Sequence, residues 1–89
     1  MPDESRRLIT IVTDAILEAE LCEVLERLGA TGYTVTNARG SGHRGIRDAG
    51  WSSSSNVRVE VVCKEDVARR IATHLRDNYY NDYAMILFE

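Results

Sequence analysis

The sequence predicts an α+β domain of ferredoxin-like architecture: a four-stranded antiparallel sheet in the order strand, helix, strand, strand, helix, strand, with both helices on one face. Three observations point there. Segments rich in β-branched residues alternate with two stretches of helical period, the 89 residues suit one domain spanning 1–89, and an aperiodic stretch divides the second strand from the third.

Each element has its own warrant. Residues 7–13 (RLITIVT) read as a strand, with Leu8, Thr10 and Val12 on one face and Ile9, Ile11 and Thr13 on the other, both faces apolar enough to be buried. Thr13 or Asp14 is placed to cap a helix carrying Leu17, Leu21, Val24, Leu25 and Leu28 on one stripe, which Gly29 and Gly32 end. Residues 33–38 (YTVTNA) form the second strand. The long loop, about 39–55, holds Gly40, Gly42, Gly45, Gly50 and a serine run from Ser52 to Ser55. Loops of this length inside compact domains are uncommon and usually functional or disordered. Val57, Val59, Val61 and Cys63 share one face of a third strand, against Arg58, Glu60 and Val62. Ala68, Ile71, Ala72, Leu75 and Tyr79 mark a second helix ending near Asn78 to Asp82, and residues 83–89 close the sheet.

Helices on one face leave the other open. Because the first strand is apolar on both sides and the third carries Val62 outward, that open face is expected to pack against another subunit. A small domain, which buries a modest share of its surface, also gains from a partner.

Composition, 44% hydrophobic and 28% charged, is that of an ordinary soluble domain. Cys22 and Cys63 stand singly and the start is charged with no apolar run behind it, so no disulfide framework, secretory signal or membrane insertion is expected and a cytoplasmic home follows. Residues 37–58 carry Arg39, Arg44, Arg47 and Arg58 against Asp48, a net charge of +3 on a chain of −3, which leaves −6 on the rest. One cationic stretch on an acidic body excludes a general nucleic-acid coat and favours a local anion site.

Residues 40–45 (GSGHRG) match the G-x-G-x-x-G pattern of dinucleotide-binding loops, with Glu60 twenty residues on. The match fails because the fingerprint needs a helix opening at its third glycine, and residues 46–55 hold Gly50 and four serines. What remains is a loop whose backbone N–H groups, with the forked donors of Arg44 and Arg47, suit phosphate oxygens. A solvated loop whose arginines serve solubility fits the same composition. His43 and His74 are too far apart in sequence, and the cysteines too isolated, for a metal motif. Trp51, among glycine and serines, fits a partner contact or a fold back onto its own oligomer. No nucleophile with a base and an orienting group is identified.

The run Gly29-Ala30-Thr31-Gly32-Tyr33-Thr34-Val35 resembles the end of the first helix in the PII-like signalling proteins, and the whole chain fits that family. Residues 40–47 (GSGHRGIR), Ser55-Asn56-Val57 with Glu60-Val61, and residues 80–84 (YNDYA) look like the branch that includes the carboxysome-associated PII-like protein and a regulator of a bicarbonate transporter. The resemblance implies a non-enzymatic trimer with adenine nucleotides in clefts between subunits, and a mobile loop that senses the ligand and meets a membrane-transporter partner. Carried over by position, Gly32, Tyr33 and Thr34 border the nucleotide, Gly42, Arg44 and Arg47 hold phosphates, Asn56 and Glu60 lie nearby, and Trp51 meets the partner. Residues 78–83 contain no lysine or arginine, unlike the phosphate loop of the best-known members. That departure favours ADP, AMP or cyclic AMP over a strongly held ATP, with bicarbonate as a second ligand. Two other readings stand beside this one: a dimeric ferredoxin-like domain regulated by an amino acid, and a slow nucleotide hydrolase with Glu60 as base.

Overall fold

The computed structural model describes residues 5–39 and 55–89. The elements are β1 (Arg7–Asp14), a single 3-10 turn (Ala15–Leu17) running into α1 (Glu18–Arg27), β2 (Thr34–Ala38), β3 (Asn56–Cys63), α2 (Glu65–Asn78) and β4 (Met85–Phe88). The sheet order is β2-β3-β1-β4 with every neighbouring pair antiparallel. Two β-α-β units therefore interleave, each with a strand of the other between its own two: the predicted ferredoxin-like arrangement.

Period-two alternation divides the sheet into two faces. The inner face carries Ile9, Ile11, Val57, Val59, Val61, Cys63 and Met85, all buried, against Leu21, Leu25, Ile71 and Leu75 of the helices. This is the core. Burial of side chains this size stabilises by roughly 1.5–3 kcal/mol each before the ordering cost is set against it. On the outer face of β1 Thr10 is buried, whereas Leu8 is 48% exposed, with no described residue covering it.

The 3-10 turn that leads into α1 is capped by Asp14, whose Oδ1 accepts a hydrogen bond from the Ile16 amide at 3.0 Å. Thr13, the other candidate cap, turns inward, and its Oγ1 donates to the Ala84 carbonyl at 2.9 Å. At the far end the Ala30 amide donates to Leu25 O and the Gly29 amide to Glu26 O, the paired bonds of a Schellman stop. Gly29 has φ +113°, a conformation that favours glycine.

The observed ends differ from the predicted ones for local reasons. The second strand starts at Thr34 rather than Tyr33, whose phenol turns back to donate to Glu26 Oε2 at 3.2 Å. The last strand starts at Met85 rather than Tyr83, because the Tyr83 amide is held in a turn by the Tyr79 carbonyl at 2.9 Å. The second helix also buries Val67, one position before the predicted stripe.

Candidate functional site

The outer face is built in rows that cross the strands. Thr34, Glu60, Thr10 and Phe88 form one row in register, Thr36, Arg58, Val12 and Ile86 the next, and Ala38, Asn56 and Asp14 the third, while Leu8 and Val62 lie beyond the first. Leu8, Val62, Ile86 and Phe88 are exposed, so a large part of this face is apolar and open. Arg58 and Glu60, two residues apart on β3, point the same way and pair at 3.3 Å.

A cavity of about 310 Å³ opens where the α1–β2 turn meets this face, lined by Leu8, Thr31, Gly32, Tyr33, Thr34, Glu60 and Val62. Four predicted residues, Gly32, Tyr33, Thr34 and Glu60, thus meet in one pocket. They meet because the register sets Thr34 opposite Glu60, although the two are far apart in sequence. The walls combine two aliphatic residues, two threonines and a carboxylate, with Gly32 and Tyr33 at the turn. Such a set suits a flat, partly apolar ring that offers hydrogen-bond donors.

Tyr33 borders the pocket at the turn while its ring turns back over the core towards α1. The Cys22 thiol beside it, then partial burial and the Glu26 carboxylate, push its phenol up to about 12, so at neutral pH it is a neutral hydrogen-bonding group. Among the described residues no nucleophile lies beside a base and an orienting group, and no group of three His, Cys, Asp or Glu side chains is placed to hold a metal ion.

Asn56 lies elsewhere. It is buried, about 13 Å along β3 from Glu60 at the usual rise per residue, and lines a second cavity of about 480 Å³ with Ala15, Asn37, Ala38, Arg39 and Ser55. This cavity marks the base of the long loop, where the Ala15 amide donates to the Ser55 carbonyl at 2.7 Å. Gly42, Arg44, Arg47 and Trp51 lie outside the described residues. A hollow of about 530 Å³ runs along the solvent side of α2 past Leu28, Arg69, His74 and Asp77, and brings together none of the predicted residues.

Sequence reasoning missed Leu8, Thr31 and Val62 as pocket walls. Thr31 sits inside the recognised glycine-bounded run, and Leu8 and Val62 are the outward apolar positions that signalled an open face. The signals were present but were assigned to subunit packing alone.

The described sheet is covered on one side and open on the other, with a pocket of hydrogen-bonding groups at its edge. The model of the family "Nitrogen regulatory protein P-II" matches residues 6–88, and the chain belongs to that family, whose members are non-enzymatic signalling proteins. A protein of Thermus thermophilus described as a PII-like signalling protein is 46% identical, with 93% of this chain and 81% of that chain covered and a TM-score of 0.76. The fold is also that of CPII, a nitrogen regulatory PII-like protein from Thiomonas intermedia, at 12% identity, with coverage of 94% and 89% and a TM-score of 0.75. That CPII structure is bound to ADP, AMP and bicarbonate, and another, bound to ADP and bicarbonate, matches at 13% identity over 97% of this chain and 87% of that one with a TM-score of 0.74.

Family membership sets aside the dimeric amino-acid-regulated domain and the hydrolase. This is a PII-like regulatory protein.

Proposed function

We propose that the protein is a trimeric cytoplasmic sensor that binds an adenine nucleotide, ADP or AMP, in clefts between subunits, with bicarbonate as a second ligand. The observation that carries the reading is the pocket of Gly32, Tyr33, Thr34 and Glu60 at the edge of an apolar sheet face that one chain leaves open. A neighbouring copy laid on Leu8, Val62, Ile86 and Phe88 buries that face and closes the pocket into a cleft. CPII, which shares the fold, holds this ligand set.

In this reading the adenine ring lies against Leu8 and Val62, bordered by the turn at Gly32 and Tyr33, with Thr34 and Glu60 taking its polar edge or the ribose hydroxyls. Arg44 and Arg47, on the loop that springs from Arg39 and returns at Ser55, take the phosphates in forked pairs. Asn56 sits at the loop base, where it couples loop to sheet. Nucleotide binding favours one loop state, which presents or withdraws Trp51 for a partner. The partner is an inorganic-carbon transporter, consistent with the resemblance to the carboxysome and bicarbonate-transporter branch. No described helix is long and apolar enough to cross a membrane, so contact with such a transporter runs through the loop.

The test is calorimetric titration with AMP, ADP, ATP and cyclic AMP, each with and without bicarbonate. Saturable binding of ADP or AMP near one site per subunit is expected, tighter than ATP and altered by bicarbonate; absence of heat with every nucleotide overturns the reading. Alanine at both Arg44 and Arg47 is expected to weaken binding at least about tenfold and leave the trimer intact.

A further inference from the structure

We propose that Arg70, which lies on α2 and does not line the pocket, is the residue that positions the pocket's turn wall for nucleotide binding, an inference that rests on the nucleotide reading above. Its guanidinium bridges the end of α1 and the first turn of α2. Nε donates to the Leu28 carbonyl at 3.2 Å, Nη1 pairs with Asp66 Oδ2 at 3.6 Å one helical turn earlier, and a methyl group on Gly29 would stand 3.0 Å from Nη2.

The Leu28 carbonyl is one of the last carbonyls of α1, which the helix leaves without an intrahelical partner. Arg70 supplies a charged donor to it and covers Gly29, the φ +113° residue at which the chain leaves the helix. From Gly29 the chain runs through Ala30, buried under the core, to Thr31, Gly32, Tyr33 and Thr34, which are one wall of the pocket. The far end of that wall is pinned to the same helix by the Tyr33 to Glu26 bond. The opposite wall, Leu8, Glu60 and Val62, is sheet. Thr34 is held opposite Glu60 by strand pairing, so the turn residues 31–33 take their position from where α1 ends, and Arg70 ties that end to α2.

A neutral side chain of similar length keeps the aliphatic packing and loses both polar contacts. The experiment compares the wild type with Arg70→Met, Arg70→Lys and Arg69→Met, each titrated with ADP and each followed by amide hydrogen exchange over residues 29–34. Arg69 pairs with Glu65 at 2.9 Å, and its variant controls for loss of a positive charge on the same helix. Arg70→Met is expected to bind ADP about tenfold more weakly and to exchange faster across residues 29–34. Arg70→Lys, which keeps a donor and the charge, recovers part of the affinity, and Arg69→Met binds as the wild type does. Should Arg70→Met not fold, Arg70→Gln carries the same comparison.

Wild-type affinity and exchange in the Arg70→Met protein overturn the proposal while the nucleotide reading stands. Equal weakening by Arg69→Met and Arg70→Met overturns it as well, by assigning the effect to charge. A wild type that binds no nucleotide removes the reading, and the proposal with it.

Discussion

The two faces of β3 have opposite fates. Val57, Val59, Val61 and Cys63 face inward and are buried by this chain alone, whereas Arg58, Glu60 and Val62 face outward onto a surface that it leaves open. The difference teaches that half of the sheet is complete as a fold and the other half becomes complete only in an assembly. The pocket lies on the incomplete half, so under the proposed function ligand binding and subunit association are linked by position.

The largest expected effect comes from breaking the complete face. Ile71→Ala removes a fully buried side chain packed against the sheet and is expected to cost about 2–5 kcal/mol in chemical denaturation. Next comes Val62→Asp on the open face, where the side chain is 57% exposed. A charge there is expected to leave the far-ultraviolet circular dichroism unchanged but to dissociate the trimer, read by sedimentation velocity. Unfolding midpoints that rise with protein concentration in the wild type then become independent of it.

Thr13→Val is smaller still. It removes the buried hydrogen bond to the Ala84 carbonyl, with an expected cost of about 1 kcal/mol in the same denaturation assay. A pH series sharpens the inner-face side of the comparison. Burial first, and the hydrogen bond to Glu20 second, push the Tyr79 phenol up to about 12 from its ordinary 10. The folded state therefore holds that proton more tightly than the unfolded chain. Its contribution is fully present below pH 10 and is lost as pH rises from 10 through about 12. Tyr79→Phe is expected to fall less steeply than the wild type across that window, measured as denaturation midpoints against pH. The smallest effect is expected from Arg58→Ala. Its partly exposed pair with Glu60 is worth at most about 1 kcal/mol, so its removal hardly moves the midpoint.

What could be read in advance follows the same division. The inner face was legible because a two-residue period in β3 and a helical stripe in α2 are local patterns fixed by backbone geometry. The strand ends were less so, since Tyr33 leaves β2 for Glu26, and Thr13 is called away from capping by Ala84, a carbonyl 71 residues distant. Among site residues, the union of Gly32, Tyr33 and Thr34 with Glu60 depends on strand register, and it was reached through family resemblance. Asn56, which the family resemblance grouped with Glu60, sits at the other end of the open face because a strand carries neighbours apart at about 3.3 Å per residue. Arg70 carried no signal at all, as its role arises from a contact between the ends of two helices.

The central claim is that a neighbouring copy completes the pocket, and the most direct test measures mass and ADP binding together on the wild type and the Val62→Asp protein. The account predicts a wild-type trimer that binds ADP near one site per subunit, and a folded, monomeric variant that has lost most of that affinity. A monomeric variant that binds ADP as tightly as the wild type, or a wild type that is monomeric and saturable with ADP, would contradict it.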